Sequence, residues 1–143
     1  MKRIFANGCF DILHSGHIHT LEEARSKGDR LIVGVNSDDS VSRLKGQGRP
    51  LVPLRDRIAV LRGLRCVDEV IPFWEDTPEK LIYAIRPDII VKGSDWRGRP
   101  VAGEDISGLE HVSNLPGFST TDLVKKIIML YNHGLIDENG ASR

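Results

Sequence analysis

The chain has 143 residues, twenty Lys and Arg balanced by twenty Asp and Glu, and two cysteines. That length suits one domain, residues 1–143, with a core large enough to dispense with disulfides or a structural metal. Zero net charge argues against a nucleic-acid partner or a polybasic membrane patch, so any anion site must be local. Cys9 and Cys66 have no framework spacing, and no apolar run approaches 18 residues or follows a signal-peptide pattern, so a reducing, cytoplasmic setting without membrane contact is expected.

Arg3 to Asn7 reads as a short buried strand ending at Gly8. The run Gly8-Cys9-Phe10-Asp11-Ile12-Leu13-His14-Ser15-Gly16-His17 follows, with two histidines three residues apart. A strand-to-helix junction of this kind presents unpaired N–H groups and a helix dipole to an anion, and glycine lets a phosphate approach the backbone. His-x-x-His is also a spacing that zinc uses, but no third and fourth ligands are spaced locally for it. From Gly16, Ile18, Leu21 and Ala24 mark a helix for which Gly28 offers a C′ residue; His19 reads as a surface residue.

Leu31 to Val35 is an apolar run suited to a strand covered on both faces, ending in polar Asn36 to Asp39. Ser42 to Pro53, with Lys45, Gly46, Gly48, Arg49 and two prolines, reads as a mobile basic loop. Leu54, Ile58, Leu61 and Leu64 form a helical stripe whose first turns carry Arg57, by default a surface ion-pair residue. Glu69 to Phe73 reads as a strand. Thr77 and Pro78 give an N-cap and N1 for a helix built on Leu81, Ile82 and Ile85 and stopped by Pro87.

Asp88 to Lys92 reads as another strand; Ser94 to Gly108 has no clear period and stays unassigned. His111 to Leu115 suits a last strand. Ser119-Thr120-Thr121-Asp122 caps a helix with Leu123, Ile127 and Leu130 on one face and Gly134 at its end, and the tail from about 135 is expected to fray. Strand and helix signals alternate about five times, which predicts a parallel sheet between helices, with ligands at the strands' carboxyl ends.

The first motif resembles the H-x-G-H signature of the cytidylyltransferase-like nucleotidyltransferases. Val35-Asn36-Ser37-Asp38, Arg43-Leu44-Lys45-Gly46, Arg49-Pro50, the Arg57 helix, Glu75-Asp76-Thr77-Pro78, Val91-Lys92-Gly93 and Ser119-Thr120-Thr121 extend the resemblance over almost the whole chain. It implies a Rossmann-like doubly wound α/β fold, a five-stranded parallel sheet with helices on both faces. Within that superfamily the chain looks most like the ADP-heptose synthases, which join AMP from ATP to a heptose 1-phosphate and are often fused to a sugar kinase. Asp95-Trp96 followed by Gly98 instead resembles the G-D-D-W-x-G segment of the glycerol-3-phosphate cytidylyltransferases, which use CTP; the arginine of their R-T-G-I-S-T-T motif is replaced here by Leu115.

What the resemblance implies for the site is a transfer driven by the substrate's own phosphate, dianionic at neutral pH because its second pKa is about 6. His14 and His17 are expected to stabilise the α-phosphate, Lys45 to neutralise phosphate charge and Arg57 to reach the triphosphate or leaving group. Gly8, Cys9, Phe10, Gly16, Lys92, Gly117, Phe118, Ser119 and Thr120 are expected at the nucleotide, Asp11 and Asp38 as orienting groups or contacts to the acceptor sugar, and Asp95 and Trp96 at the acceptor substrate, against its sugar or the base. No protein metal site is expected, Mg²⁺ being carried by the triphosphate. A homodimer served by a separate sugar kinase is the implied assembly. The non-enzyme rival is a nucleotide-binding regulatory module, which has no need of donors aimed at the α-phosphate.

Overall fold

The computed structural model describes residues 1–115, 117 and 119–142. Five strands, β1 (Arg3–Gly8), β2 (Arg30–Asn36), β3 (Glu69–Phe73), β4 (Ile89–Gly93) and β5 (Gly108–Val112), form one parallel sheet in the order β3-β2-β1-β4-β5. The helices are α1 (Ser15–Arg25), α2 (Asp38–Lys45), α3 (Leu54–Arg62), α4 (Glu79–Ile85) and α5 (Thr120–Asn132), with a 3₁₀ turn at Ser94–Trp96. This is the expected Rossmann-like doubly wound architecture.

Alternation along the strands divides the core. Ile4 and Ala6 of β1, with Leu31, Val33 and Val35 of β2, pack toward Leu21 and Ala24 of α1 and Leu61 of α3. Phe5, Ile32 and Ile90 point the other way, toward Ile82 of α4 and Val101. Strand order reverses between β1 and β4, where register pairing covers only Ile4 with Ile89 and Phe5 with Ile90. The sheet therefore opens toward its carboxyl ends at the switch point, which is where doubly wound sheets take ligands.

Several expectations are corrected. Residues 38–45, placed partly in a basic loop, are helix α2: Ser37 caps it by accepting the Ser40 N–H, and Asp38 and Asp39 suit its dipole. The helix is eight residues long with Val41 as its buried apolar residue, too short to repeat an apolar stripe. Helix α1 ends at Arg25 with Ser26 as its cap, so Gly28 is not its C′ residue. Pro78 rather than Thr77 precedes α4, and the last strand starts at Gly108 instead of His111. Helix α5 runs as expected, but Leu123 and Ile127 are exposed. The tail closes on itself through a bridge between Ile136 and Ser142, with Asp137 accepting the Asn139 and Ala141 N–H groups.

The unassigned stretch is ordered by tertiary anchors. Val101 is buried with Ile82 and Ile90, Ser107 Oγ donates to the Pro87 carbonyl, and Tyr83 donates to Asp105. Gly103 makes the docking possible: its φ is +83°, and a Cβ there would lie 2.4 Å from Ile82 Cγ2 and 2.9 Å from Ile90 Cδ1. Both the left-handed backbone and the contact exclude a side chain. Gly103→Ala is expected to cost about 2 kcal/mol or more in chemical denaturation, whereas Gly48→Ala, where a Cβ meets nothing within 4 Å, should cost far less.

Candidate active site

A cavity of about 900 Å³ occupies the carboxyl end of the sheet. Its floor is the turn from β1 to α1. Phe10 sits there at φ 49°, uncommon for a non-glycine residue, with its ring buried against the Gly8 backbone. His14 is the N-cap of α1: its Nδ1 accepts the Gly16 N–H at 3.1 Å, and its own N–H donates to His17 Nδ1 at 3.3 Å. This reciprocal box uses imidazoles where Ser and Glu usually serve.

The box fixes the tautomers. A ring nitrogen that accepts a backbone N–H carries no proton, so in the neutral form each ring keeps its proton on Nε2. The rings lie 4.0 Å apart, tilted by 32°, and Phe10 meets His17 edge-on at 5.5 Å. Burial, reinforced by the nearby His14, lowers the pKa of His17 from 6.5 to about 4. At neutral pH His17 is thus an uncharged Nε2–H donor among the residues lining the cavity.

A second helix N-terminus meets the same space. Ser119 caps α5 by accepting the Asp122 N–H at 3.0 Å, and Thr120 Oγ1 donates to the Ile12 carbonyl at 3.3 Å, stitching α5 to the β1–α1 turn. Ser119, Thr120 and Thr121 all line the cavity. Across the open switch point, Lys92 Nζ donates to Asn7 Oδ1 at 2.7 Å and lies 4.6 Å from the Trp96 ring centroid, with the Arg99 guanidinium 4.2 Å from the same ring. Burial lowers the Lys92 pKa from 10.5 to about 8, with Asp95 opposing the shift and Arg99 adding to it. Asn114 donates to Asp95 at 3.1 Å. Only glycine fits behind that pair, since a Cβ on Gly93 would be 2.6 Å from an oxygen of each.

The cavity collects Gly8, Cys9, Phe10, Asp11, His14, Gly16, His17, Lys45, Lys92, Asp95, Trp96, Ser119 and Thr120. Lys45 does so from the last residue of α2 rather than from a loop. Burial raises the Cys9 thiol pKa, with Lys45 first among the cations that oppose it, so Cys9 is a poor nucleophile. Gly117, at φ +80°, is not among the lining residues, and Phe118 lies outside the described residues.

Two assignments change. Arg57 was expected at the triphosphate, but its side chain is fully buried. Its Nε donates to the Val52 carbonyl at 2.9 Å, Nη1 to the Cys9 and Asn36 carbonyls at 2.7 Å each, and Nη2 to Asp38 at 2.6 Å. Asp38 is its counter-ion and does not line the cavity. Asp11 is reached by the cavity, yet its carboxylate is taken up by the Leu51 and Val52 N–H groups and by Arg49. Asn7, Arg49 and Asn114, outside the expected set, do line it. Asn7 was signalled by being polar at the end of an apolar strand; Asn114 stood in no motif.

The Arg57 arrangement has a measurable consequence. Arg57→Met would strand three carbonyls and one carboxylate, and is expected to lower unfolding stability by about 3–5 kcal/mol. Arg57→Lys should recover only part of this, because a single ammonium cannot span acceptors that the planar fork reaches from three nitrogens.

Comparison with known proteins accords with this geometry. The Cytidylyltransferase-like family model matches residues 5–126. The chain is 55% identical over 131 residues to the Bifunctional protein HldE of Azotobacter vinelandii, covering 88% of this chain and 28% of that one. The HldE of Haemophilus influenzae is 51% identical over 137 residues, 90% of this chain and 28% of the relative. The chain thus spans little more than a quarter of the length of these relatives. Among solved structures, a lipopolysaccharide core biosynthesis protein from Thermoplasma volcanium is 34% identical with a TM-score of 0.65, covering 80% of this chain and 97% of that one. With its sheet order, its imidazole-capped turn and a family match over most of its length, the chain belongs to the cytidylyltransferase-like family.

Proposed function

We propose that the chain is a nucleotidyltransferase that joins the AMP moiety of ATP to a sugar 1-phosphate, a heptose 1-phosphate, releasing pyrophosphate and an ADP-sugar. The observation that carries this reading is the imidazole box, which holds two Nε2–H donors at one helix N-terminus in a cavity large enough for a nucleotide. A binding module has no use for two such donors. The heptose acceptor draws support from the HldE relatives and from the similar lipopolysaccharide core biosynthesis protein of Thermoplasma volcanium.

In this reading an oxygen of the acceptor phosphate forms a bond to the α-phosphorus as the bond to the bridging oxygen breaks and pyrophosphate departs. The nucleophile is the substrate's, so the protein's part is positioning and charge stabilisation. His14 and His17 donate to the α-phosphate oxygens, the start of α5 receives the departing phosphates, and Lys45 offsets charge from the other side. Trp96 and Asp95 form the wall for the base. Arg57 and Asp38 act at a distance, by holding the Cys9 carbonyl and hence the turn that carries the histidines. Mg²⁺ carried on the triphosphate, which provides most of its ligands, would supply further neutralisation there.

The second reading, CTP with glycerol 3-phosphate, draws support from the segment Asp95-Trp96 followed by Gly98, which resembles that of the glycerol-3-phosphate cytidylyltransferases. Dimerisation belongs to the proposal as well and is checked by sedimentation. Among the described residues no helix is long and apolar enough to cross a membrane.

Pyrophosphate release with Mg²⁺, each of ATP and CTP, and each of heptose 1-phosphate and glycerol 3-phosphate tests the assignment. ATP with heptose 1-phosphate should be the fast pair, and absence of release with every pair would reject the enzyme. His14→Ala and His17→Ala should each lower turnover by about 10²–10³-fold while ATP affinity stays within a few-fold. The His17 pKa also fixes the sign of a stability effect. Between pH 6.5 and about 4 the unfolded chain takes up this proton and the folded chain does not, so stability falls with pH across that window. His17→Gln should remove this part of the slope in denaturation curves at pH 7 and pH 5.

A further inference from the structure

We propose that Arg49, held by the buried carboxylate of Asp11, is the residue that grips the acceptor's phosphate and so selects phosphorylated acceptors; this rests on the nucleotidyltransferase reading above.

The cavity has two unlike sides. On the β4–β5 side Val91, Trp96, Ala102 and Leu115 give an apolar surface with one aromatic ring, edged by Lys92 and Asp95, suited to a base and its polar edge. On the β2–β3 side, beside the apolar Val41 and Leu44, stand Asn36, Lys45, Arg49 and Asp76, a set with two cations suited to a hydroxylated, phosphorylated molecule. The β1–α1 turn with its histidines lies between them in the strand order. An in-line displacement needs attack from the side opposite the leaving group. With the start of α5 receiving the pyrophosphate, attack comes from the side of Lys45 and Arg49.

Arg49 has the geometry for that task and Arg57 does not. Arg57 spends Nε and both terminal nitrogens on protein acceptors. Arg49 makes, among the described residues, one guanidinium bond, from Nη1 to Asp11 Oδ2 at 3.2 Å, and its side chain lines the cavity at 20% exposure. The rest of its planar fork is available for the paired bonds that a phosphate accepts. Asp11 secures it twice over. Its Oδ1 accepts the Leu51 and Val52 N–H groups at 2.8 and 2.9 Å, fixing the backbone just beyond Arg49, while Oδ2 aims the guanidinium. Ser42 Oγ holds the Arg49 carbonyl at 2.6 Å from the other side. Asp11 is thus a positioning residue. Lys45 and Arg49 line the same cavity as Cys9 and the two histidines.

The test compares wild type with Arg49→Gln, Arg49→Lys, Asp11→Asn and the Arg49→Gln/Asp11→Asn double variant, each first checked by thermal denaturation. With heptose 1-phosphate as acceptor, Arg49→Gln should raise the acceptor KM about 10- to 100-fold, the loss of charge-assisted bonds to one phosphate, and leave the ATP KM within twofold. Arg49→Lys, charged but without the fork, should fall between and show that the defect is not unfolding. Asp11→Asn should reproduce the acceptor defect, and the double variant should add little to Arg49→Gln, a coupling that a merely structural Asp11 would not give. An unchanged acceptor KM, or ATP and acceptor KM rising together, would overturn the proposal. Calorimetric titration with heptose 1-phosphate separates the two readings. Binding by wild type but not by Arg49→Gln upholds the grip even if no pyrophosphate is released, in which case only the proposed reaction fails. Equal binding by both, or by neither, rejects it.

Discussion

The site depends on one buried guanidinium. Four segments distant in sequence end at Arg57: the β1–α1 turn through the Cys9 carbonyl, the end of β2 through the Asn36 carbonyl, the start of α2 through Asp38, and the stretch before α3 through the Val52 carbonyl. Strand ends at a switch point leave carbonyls pointing into space that the sheet no longer pairs. A planar cation with donors on three nitrogens satisfies several at once, and its charge is met by the half-exposed Asp38 carboxylate. The desolvation of that charge is offset by bonds no neutral side chain of similar size supplies together. The consequence for function is rigidity: the turn that aims the histidines is held from beneath by a group with no freedom to leave.

Around that pin the molecule concentrates positive potential without carrying net charge. Twenty acidic residues balance twenty basic ones, so attraction for an anion comes from arrangement. The starts of α1 and α5, the positive ends of their dipoles, meet at one cavity, linked by the bond from Thr120 to the Ile12 carbonyl. Lys45 and Arg49 enter from the β2 side, Lys92 from β4. Much of the remaining charge is spent in surface pairs, such as Arg25 with Asp68 and Lys27 with Glu110, which contribute little to stability but keep the basic residues there from competing for the ligand.

What was legible in the residues was whatever depends on local pattern. β2 was readable from Leu31 to Val35 because both faces are covered, and α5 from its Ser119 cap. The histidine turn was readable because glycines and imidazoles occur together there. Helix α2 was not, since two turns with one buried apolar residue are too short to repeat a stripe, and it is held by polar bonds from outside, Ser40 to the Glu75 carbonyl and Arg43 to Asp76. Residues 94–108 were illegible for a related reason: Val101 and Gly103 are set by Ile82 and Ile90, which lie far away in the chain. The inward-facing bonds of Arg57 and Asp11 were not legible because a charged side chain near an anion site reads equally as a ligand or as a support. Only the backbone groups converging on them show that their charge faces inward.

His17 is uncharged at neutral pH, and that bears on how the turn can act. Two imidazolium rings 4.0 Å apart would repel each other, and the lowered pKa of His17 keeps at least one of them uncharged at physiological pH. An uncharged Nε2–H still donates to a phosphate oxygen, and it does so without trapping the ground-state triphosphate as strongly as a cation would. Such donors help most when negative charge grows on those oxygens, in the transition state rather than before it. Charge sufficient to hold the substrate then comes from residues at the sides of the cavity, where Lys45 and Lys92 stand. In the proposed reaction the reciprocal box separates the groups that respond to developing charge from those that bind, because it fixes the ring tautomers through backbone N–H groups that cannot titrate.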